Sequence, residues 1–253
     1  MNTAVAMPVA RSVSIYLRDA WYEFLRLLRA PAAAVPMLVF PAMFYLLFGV
    51  VFAGHNAQQA TWVLGSMGAF GVMAPGLFGL GIGVAIERAR GLLALKRALP
   101  VPPGAYLGAK MAMALLFALC IFLILTLLAV SLGGVRLAPT QWLALLASML
   151  LGALPFCALG LLIGTLVSAQ AAPAIANLVY LPMSFLSGLW IPLKAMPALL
   201  QWAAPLWPAY HLGRLSLEAV GLVRASPWPP IAALLLFTAA CFALALRRLR
   251  RSG

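Results

Sequence analysis

The sequence predicts an all-α integral membrane protein with six transmembrane helices. Two facts of composition and one pattern carry that reading. Hydrophobic residues make up 65% of the 253 and charged residues only 8%, where soluble domains run at about 25% charged. Mean hydropathy is +1.07. The few charges gather in short clusters separated by long uncharged runs, the pattern of helices that cross a bilayer and loops that return through water. The net charge of +13 therefore marks loop ends on one side of a membrane, and a nucleic-acid partner is excluded from the reading.

The first element is an arm over residues 1–31. Leu17, Trp21, Phe24, Leu25 and Leu28 recur at helical spacing, with Arg18, Glu23, Arg26 and Arg29 elsewhere on the wheel, and Pro31 is expected to end the helix. Such a helix lies in the headgroup plane, with Trp21, Phe24 and Leu25 in membrane lipid and Arg18, Arg26 and Arg29 near anionic phosphates. Charges recur from Arg11 to Arg29 before any apolar span, so no cleaved leader is expected.

No charge occurs between Arg29 and Glu87. That run exceeds one crossing of about 20 residues, and Gly54-His55-Asn56-Ala57-Gln58-Gln59 divides it into spans near 34–53 and 62–86. The second of these is glycine-rich, with Gly65, Gly68, Gly71, Gly76, Gly79, Gly81 and Gly83, and Pro75 inside it should kink the helix. A third span runs over 111–132. The charge-free stretch from Arg136 to Lys194 is divided at Ser168-Ala169-Gln170-Ala171-Ala172-Pro173 into spans near 141–167 and 174–190, with Gly160 and Gly164 as a second small face. The sixth span, near 229–246, closes on Arg247, Arg248, Arg250 and Arg251.

Thirteen of the 17 basic residues fall on the arm, the loop after the second span and the C-terminal tail. Both termini are therefore expected in the cytoplasm. The loop after the fourth span should share that side, yet it carries no charge. Before the last span, residues 191–228 are too apolar for an ordinary loop and too broken by proline for a crossing. Half-helices that enter the outer leaflet and return fit them, with Trp190, Trp202, Trp207 and Trp228 at the outer interface and a short helix from Ala209 to Gly221.

The missing chemistry narrows function further. The acids Asp19, Glu23, Glu87 and Glu218 avoid the middle of any span, which argues against ion-coupled transport. Cys120, Cys157 and Cys241 sit in apolar spans at no metal spacing, and no disulfide is expected. No metalloprotease, redox or serine-hydrolase motif occurs. The stretch from Gly104 to Lys110 has the wrong glycine spacing for a phosphate loop and no Ser or Thr after the lysine. The chain by itself does not hydrolyse ATP and is not predicted to be an enzyme.

The island Glu87-Arg88-Ala89-Arg90-Gly91-Leu92-Leu93-Ala94-Leu95-Lys96-Arg97-Ala98-Leu99-Pro100, followed by Lys110, is a short basic helix between spans. A soluble partner can grip such a loop. Glu87 stands out, because acids do little to set topology.

Glu87 followed by Gly91 and Pro100, and the pattern Leu186-Ser187-Gly188 with Pro192, Met196-Pro197 and Pro205, resemble the permease subunits of type-2 ABC exporters. The resemblance covers essentially the whole chain as one transmembrane domain, 1–253. It implies a cytoplasmic coupling helix in the 87–105 loop, re-entrant outer half-helices over 191–228, and a soluble ABC ATPase in two copies carrying ATP and Mg. No cofactor is implied on this chain. A second permease copy is implied too, as a homodimer or a heterodimer, in a bacterial inner membrane.

On that implication Glu87, Arg88, Arg90, Lys96 and Arg97 make polar contacts with the ATPase and Leu92, Leu93 and Leu95 apolar ones. Asn177, Tyr180, Ser184 and Ser187 are the polar side chains available to a cargo path, which is mostly apolar and favours a hydrophobic or amphipathic cargo. The chain departs from the family in having no second acid, beyond Glu87, near Ala89, and Leu92 where threonine is common, which leaves the subfamily open. A channel, or a membrane assembly factor binding a cytoplasmic partner, is the alternative reading.

Overall fold

The computed structural model describes residues 9–54, 56–92 and 105–251, with side chains over 16–54, 56–92 and 106–248. Among them all regular structure is helical. Arm helix α1 (Val9–Leu28) precedes α2 (Pro31–Val51), which is α-helical to Phe44 and π-helical over Tyr45–Val51. Helix α3 (Ala57–Ala89) follows, then α4 (Ala105–Ser131), α5 (Pro139–Leu166) and α6 (Ala172–Leu186). Two short helices, α7 (Ala198–Ala203) and α8 (Pro208–Ala219), lead to α9 (Trp228–Arg251).

Five of these helices, α2, α3, α4, α5 and α9, are long and apolar enough to cross a membrane. The expected fifth span near 174–190 corresponds to α6, which has only 15 residues. Fifteen residues extend about 22 Å, short of a hydrocarbon core of about 30 Å. Its end is written in the turn: Gly188 takes φ 79° and its N–H bonds to the Phe185 carbonyl at 3.0 Å. A glycine in the left-handed region is the ordinary way to stop a helix.

Pro31 does not act as expected. The arm helix has already ended at Leu28, and Pro31 opens α2 from its first turn. The missing N–H of proline costs nothing there, because the first-turn donors have no helical acceptor. Asn56, from the predicted break, caps α3 by accepting from Gln59 N at 3.1 Å.

Helix α3 is the axis of the molecule, with 78% of its most apolar stretch buried. Pro75 interrupts its regular ladder, and the chain runs π-helical over Pro75–Ile82. That segment packs on α5 backbone to backbone. A Cβ on Gly76 would come 2.6 Å from Cys157 N, and one on Gly164 would lie 2.6 Å from the Gly81 carbonyl. Gly160 rests against the Gly76 carbonyl. The two small faces seen in the sequence are thus one interface, in which glycine admits the close approach.

Helix α4 packs on α1 and α3, while α9 lies along α5 and α8. At one end of the bundle α8 covers the first halves of α3 and α5, with Leu217 against Gly65 and Leu212 against Gly152. The Gln141 side chain joins this end. Its Oε1 accepts from Ala138 N at 2.8 Å, and its Nε2 donates to the Val220 carbonyl at 3.1 Å. Of the four tryptophans expected at the outer interface, Trp202 and Trp228 are exposed, whereas Trp190 and Trp207 pack against the core. The Trp190 ring sits 4.6 Å from Phe44 and 5.2 Å from Phe70, between α2 and α3.

Candidate functional site

At the other end of the bundle the chain passes from α3 into the basic loop, and the last turn of α3 is heavily tied. Glu87 is 3% exposed. Its Oε1 accepts from Lys110 Nζ at 3.0 Å and from Arg26 Nη1 at 2.9 Å. Glu23 of the arm completes the cluster, bonded to Arg26 at 2.8 Å and to Lys110 at 3.3 Å. Lys110 is wholly buried, with its ammonium 5.1 Å from the Tyr106 ring centroid. Among the described residues, two carboxylates and two cations from α1, α3 and α4 therefore meet in one place. Hydrogen-bonded pairing of this kind is the condition for holding such charges out of water. Burial opposes the Arg26 charge, but Glu23 and then Glu87 hold its pKa above the usual guanidinium value.

Each helix has a local reason to deliver its charge. The arm presents Glu23 and Arg26 three residues apart on one helical face. Phe24 is buried and packs on Phe117 of α4 with centroids 5.1 Å apart, while Trp21 stays 53% exposed. The aromatic face of the arm is thus divided: Phe24 faces protein, Trp21 faces outward, and Leu25 is half-buried. Arg18 and Arg29 are exposed.

Arg88 turns the other way. Its guanidinium donates to the Thr165 carbonyl and, at 2.6 Å, to the Val167 carbonyl. These are carbonyls at the C-terminus of α5, where helical acceptors are left over and a cation is favoured. The uncharged loop between α5 and α6 thereby receives its positive charge from α3. An open cleft beside it is lined by Ala85, Arg88, Ala89, Ser168, Ala169 and Gln170. Beyond Arg88 the helix stops at Gly91, whose φ of 71° is left-handed and whose N–H bonds to the Arg88 carbonyl. Ala89, Arg90 and Gly91 are exposed and Leu92 is half-buried. Leu93, Leu95, Lys96 and Arg97 lie outside the described residues.

The candidate path residues divide three to one. Tyr180 is buried, donates to the Phe70 carbonyl at 3.1 Å, and its ring is tilted against that of Phe70 with centroids 4.8 Å apart. Ser184 is buried and accepts from Trp190 Nε1 at 3.1 Å, and Ser187 is buried as well. Only Asn177 is exposed, on an outward stripe of α6 with Leu178, Leu181 and Phe185.

Glu23 and Lys110 carry this site, although charge patterning alone gave them no such role. A signal was present: two of the four acids in the whole chain meet here, and Lys110 lies inside a helix rather than in the loop before it.

The fold is a multi-pass helical bundle whose basic loop is anchored at its root to three neighbouring helices, and the family match places it in the class of membrane transport permeases. Residues 18–219 match the ABC-2 type transporter family, and the chain belongs to that family. It is 32% identical over 211 residues to a Bacillus subtilis (strain 168) protein named "Putative transport permease YvfS", a match covering 82% of this chain and 86% of that one. Members of the family are membrane components of transport, and the family in general implies an ABC ATPase as partner.

Proposed function

We propose that the chain is the six-span permease subunit of an ATP-driven exporter, forming one transmembrane domain with both termini in the cytoplasm of a bacterial inner membrane. In this reading α6 with the turn after it supplies the fifth crossing in order, which completes the six, and residues 191–228 re-enter the outer leaflet. Two copies of a soluble ABC ATPase, carrying ATP and Mg, grip the 87–105 loops of two permease chains. Closure of the ATPases moves the loops, and the cargo, hydrophobic or amphipathic, passes between the two chains.

The observation that carries the proposal is the double anchoring of the loop at Glu87 and Arg88. A loop that served topology alone needs basic charge only. This one is bonded through Glu87 to α1 and α4 and through Arg88 to α5, so a push on it reaches three helices. Glu87 and Arg88 then act inside the permease, and contact with the ATPase falls to Arg90, Leu92 and the residues that follow.

The test is purification of the tagged full chain from its native membrane in mild detergent, with ATP hydrolysis and mass spectrometry of what is retained. A soluble ATPase retained by the natural chain and lost with Arg90→Glu and Leu92→Asp is the expected result. A clean oligomer without ATPase would sink the exporter reading in favour of a channel or an assembly factor.

A further inference from the structure

Helix α9 is the least buried of the five helices long enough to cross a membrane: 22% of its most apolar stretch is buried, against 78% for α3. It packs on α5 and α8, and its faces are divided. Leu234, Cys241 and Ala245, at i, i+7 and i+11, are buried. Leu236, Ala240, Ala243, Leu244 and Arg247, at i, i+4, i+7, i+8 and i+11, form a separate exposed stripe. Arg248 beside it is exposed as well. The helix continues to Arg251, and its register sets positions 250 and 251 on the stripe that ends at 247. From Leu236 to Arg247 it rises about 16 Å, close to one leaflet of a hydrocarbon core of about 30 Å.

We infer that this stripe and the arginines that close it are a binding site for an anionic phospholipid. Its acyl chain lies along Leu236, Ala240 and Leu244, and its phosphate meets Arg247 and Arg248. Orientation in the membrane needs basic charge at the end of a span and is indifferent to the helix face that carries it. Here the charge stands at the foot of an apolar strip one leaflet long, which is the shape and polarity of a single lipid. A guanidinium takes a phosphate through two parallel N–H bonds. A zwitterionic headgroup brings its own cation beside that phosphate, so a headgroup of net negative charge is preferred. A second copy of the chain is disfavoured on this face. Two chains share one orientation in the membrane, and a two-fold pairing through the stripe sets arginine against arginine.

The measurement is photo-cross-linking to lipid. A benzophenone side chain is placed at position 244 of the full chain, reconstituted in phosphatidylcholine vesicles with about one-tenth phosphatidylglycerol. A preference of about tenfold is expected from basic residues near the phosphate, so about half of the adducts at 244 should be phosphatidylglycerol. The same label at position 123, where Leu123 of α4 is exposed away from any charge cluster, should report the bulk share of about one-tenth.

Arg247→Gln, Arg248→Gln, Arg250→Gln and Arg251→Gln together should return the share at 244 to about one-tenth. Arg247→Gln with Arg251→Gln leaves two arginines to orient the span, and should lower the preference to about threefold and the share to about a quarter. Equal shares at 244 and 123 in the natural chain overturn the inference, because the lipid then answers to general surface charge. An unchanged share in the twofold variant overturns it too. Adducts at 244 that join a second copy or another protein, in place of lipid, overturn the choice of occupant.

Discussion

Glu87 and Arg88 are adjacent in the chain and bonded to opposite neighbours. Glu87 accepts from Lys110 of α4 and Arg26 of α1, while Arg88 donates to carbonyls at the end of α5. Successive residues on a helix point about 100° apart, so one turn at the end of α3 addresses both flanks of the bundle. The basic loop begins immediately afterwards, at Gly91. Its root is therefore held by side chains on either flank rather than by the backbone alone.

Removing the acid should be costly. Glu87→Gln removes one of the two carboxylates described on the buried Lys110, and loss of one partner of a buried pair destabilises by about 3 kcal/mol. Arg26→Gln, at a side chain 55% exposed, should cost no more than about 1 kcal/mol. Thermal unfolding in detergent ranks the two. Equal melting temperatures would contradict the view that burial decides the value of each charge.

For Arg88 the informative exchange is to lysine. A guanidinium reaches two carbonyls at once, and an ammonium on a different stem does not reproduce that fork. Arg88→Lys should destabilise by about 1 kcal/mol and Arg88→Ala by about 2 kcal/mol, the scale of hydrogen bonds made by a charged donor. Amide exchange over 163–171 should quicken in both. Protection there that does not depend on residue 88 would remove the clasp from the account.

The glycine interface makes a contrasting pair. Gly160→Ala places a methyl on the Gly76 carbonyl and should cost at least about 3 kcal/mol, at the upper end of overpacking penalties. Gly91→Ala meets open space, so only its left-handed backbone is penalised, by about 1 kcal/mol. Yield of folded chain after membrane extraction distinguishes them; comparable losses would mean that α3 and α5 are not in backbone contact.

On α6, exposure separates the path candidates. Tyr180→Phe deletes the bond to the Phe70 carbonyl and should lower stability by about 1 kcal/mol. Asn177→Ala, at an exposed site, should change it by less than about 0.5 kcal/mol. If Asn177 touches cargo, its variant alters transport without altering melting. A melting shift for Asn177→Ala as large as that of Tyr180→Phe would show that α6 is turned differently about its axis.

The segment over 191–228 should respond to acid through His211. Burial lowers its pKa, outweighing the bond its Nε2 makes to the Pro205 carbonyl at 2.9 Å. A histidine depressed in the folded state favours folding while neutral. That contribution is present above the unfolded value of about 6.5 and is lost as pH falls through it. The protection of amides over 204–211, relative to their intrinsic exchange rate at each pH, should therefore fall between about pH 7 and pH 5, and His211→Gln should flatten the change.

Much of the architecture was legible in the sequence because hydropathy is local and additive. Uncharged runs placed the bodies of α2, α3, α4, α5 and α9, with ends displaced by up to about two helical turns, and the glycine runs foretold a close helix contact. The span expected near 174–190 runs past the end of α6 at Leu186, since an apolar sequence continues past Gly188 after the helix has stopped. The charge island was likewise visible as a loop that something holds, and Glu87 as the residue topology does not explain.

What the sequence by itself determined was class: a helical multi-pass membrane chain, its basic loop, and the small faces that admit close packing. Only the tertiary structure decided rotation and neighbours. It turned Glu87 and Lys110 inward toward Glu23, sent Arg88 to the end of α5, and buried Tyr180, Ser184 and Ser187 while leaving Asn177 outside. The physical reason is that spans apolar on every side carry no periodic signal of which face meets protein. Pairing between helices far apart in sequence is set by packing against the central helix, which no local pattern of residues encodes.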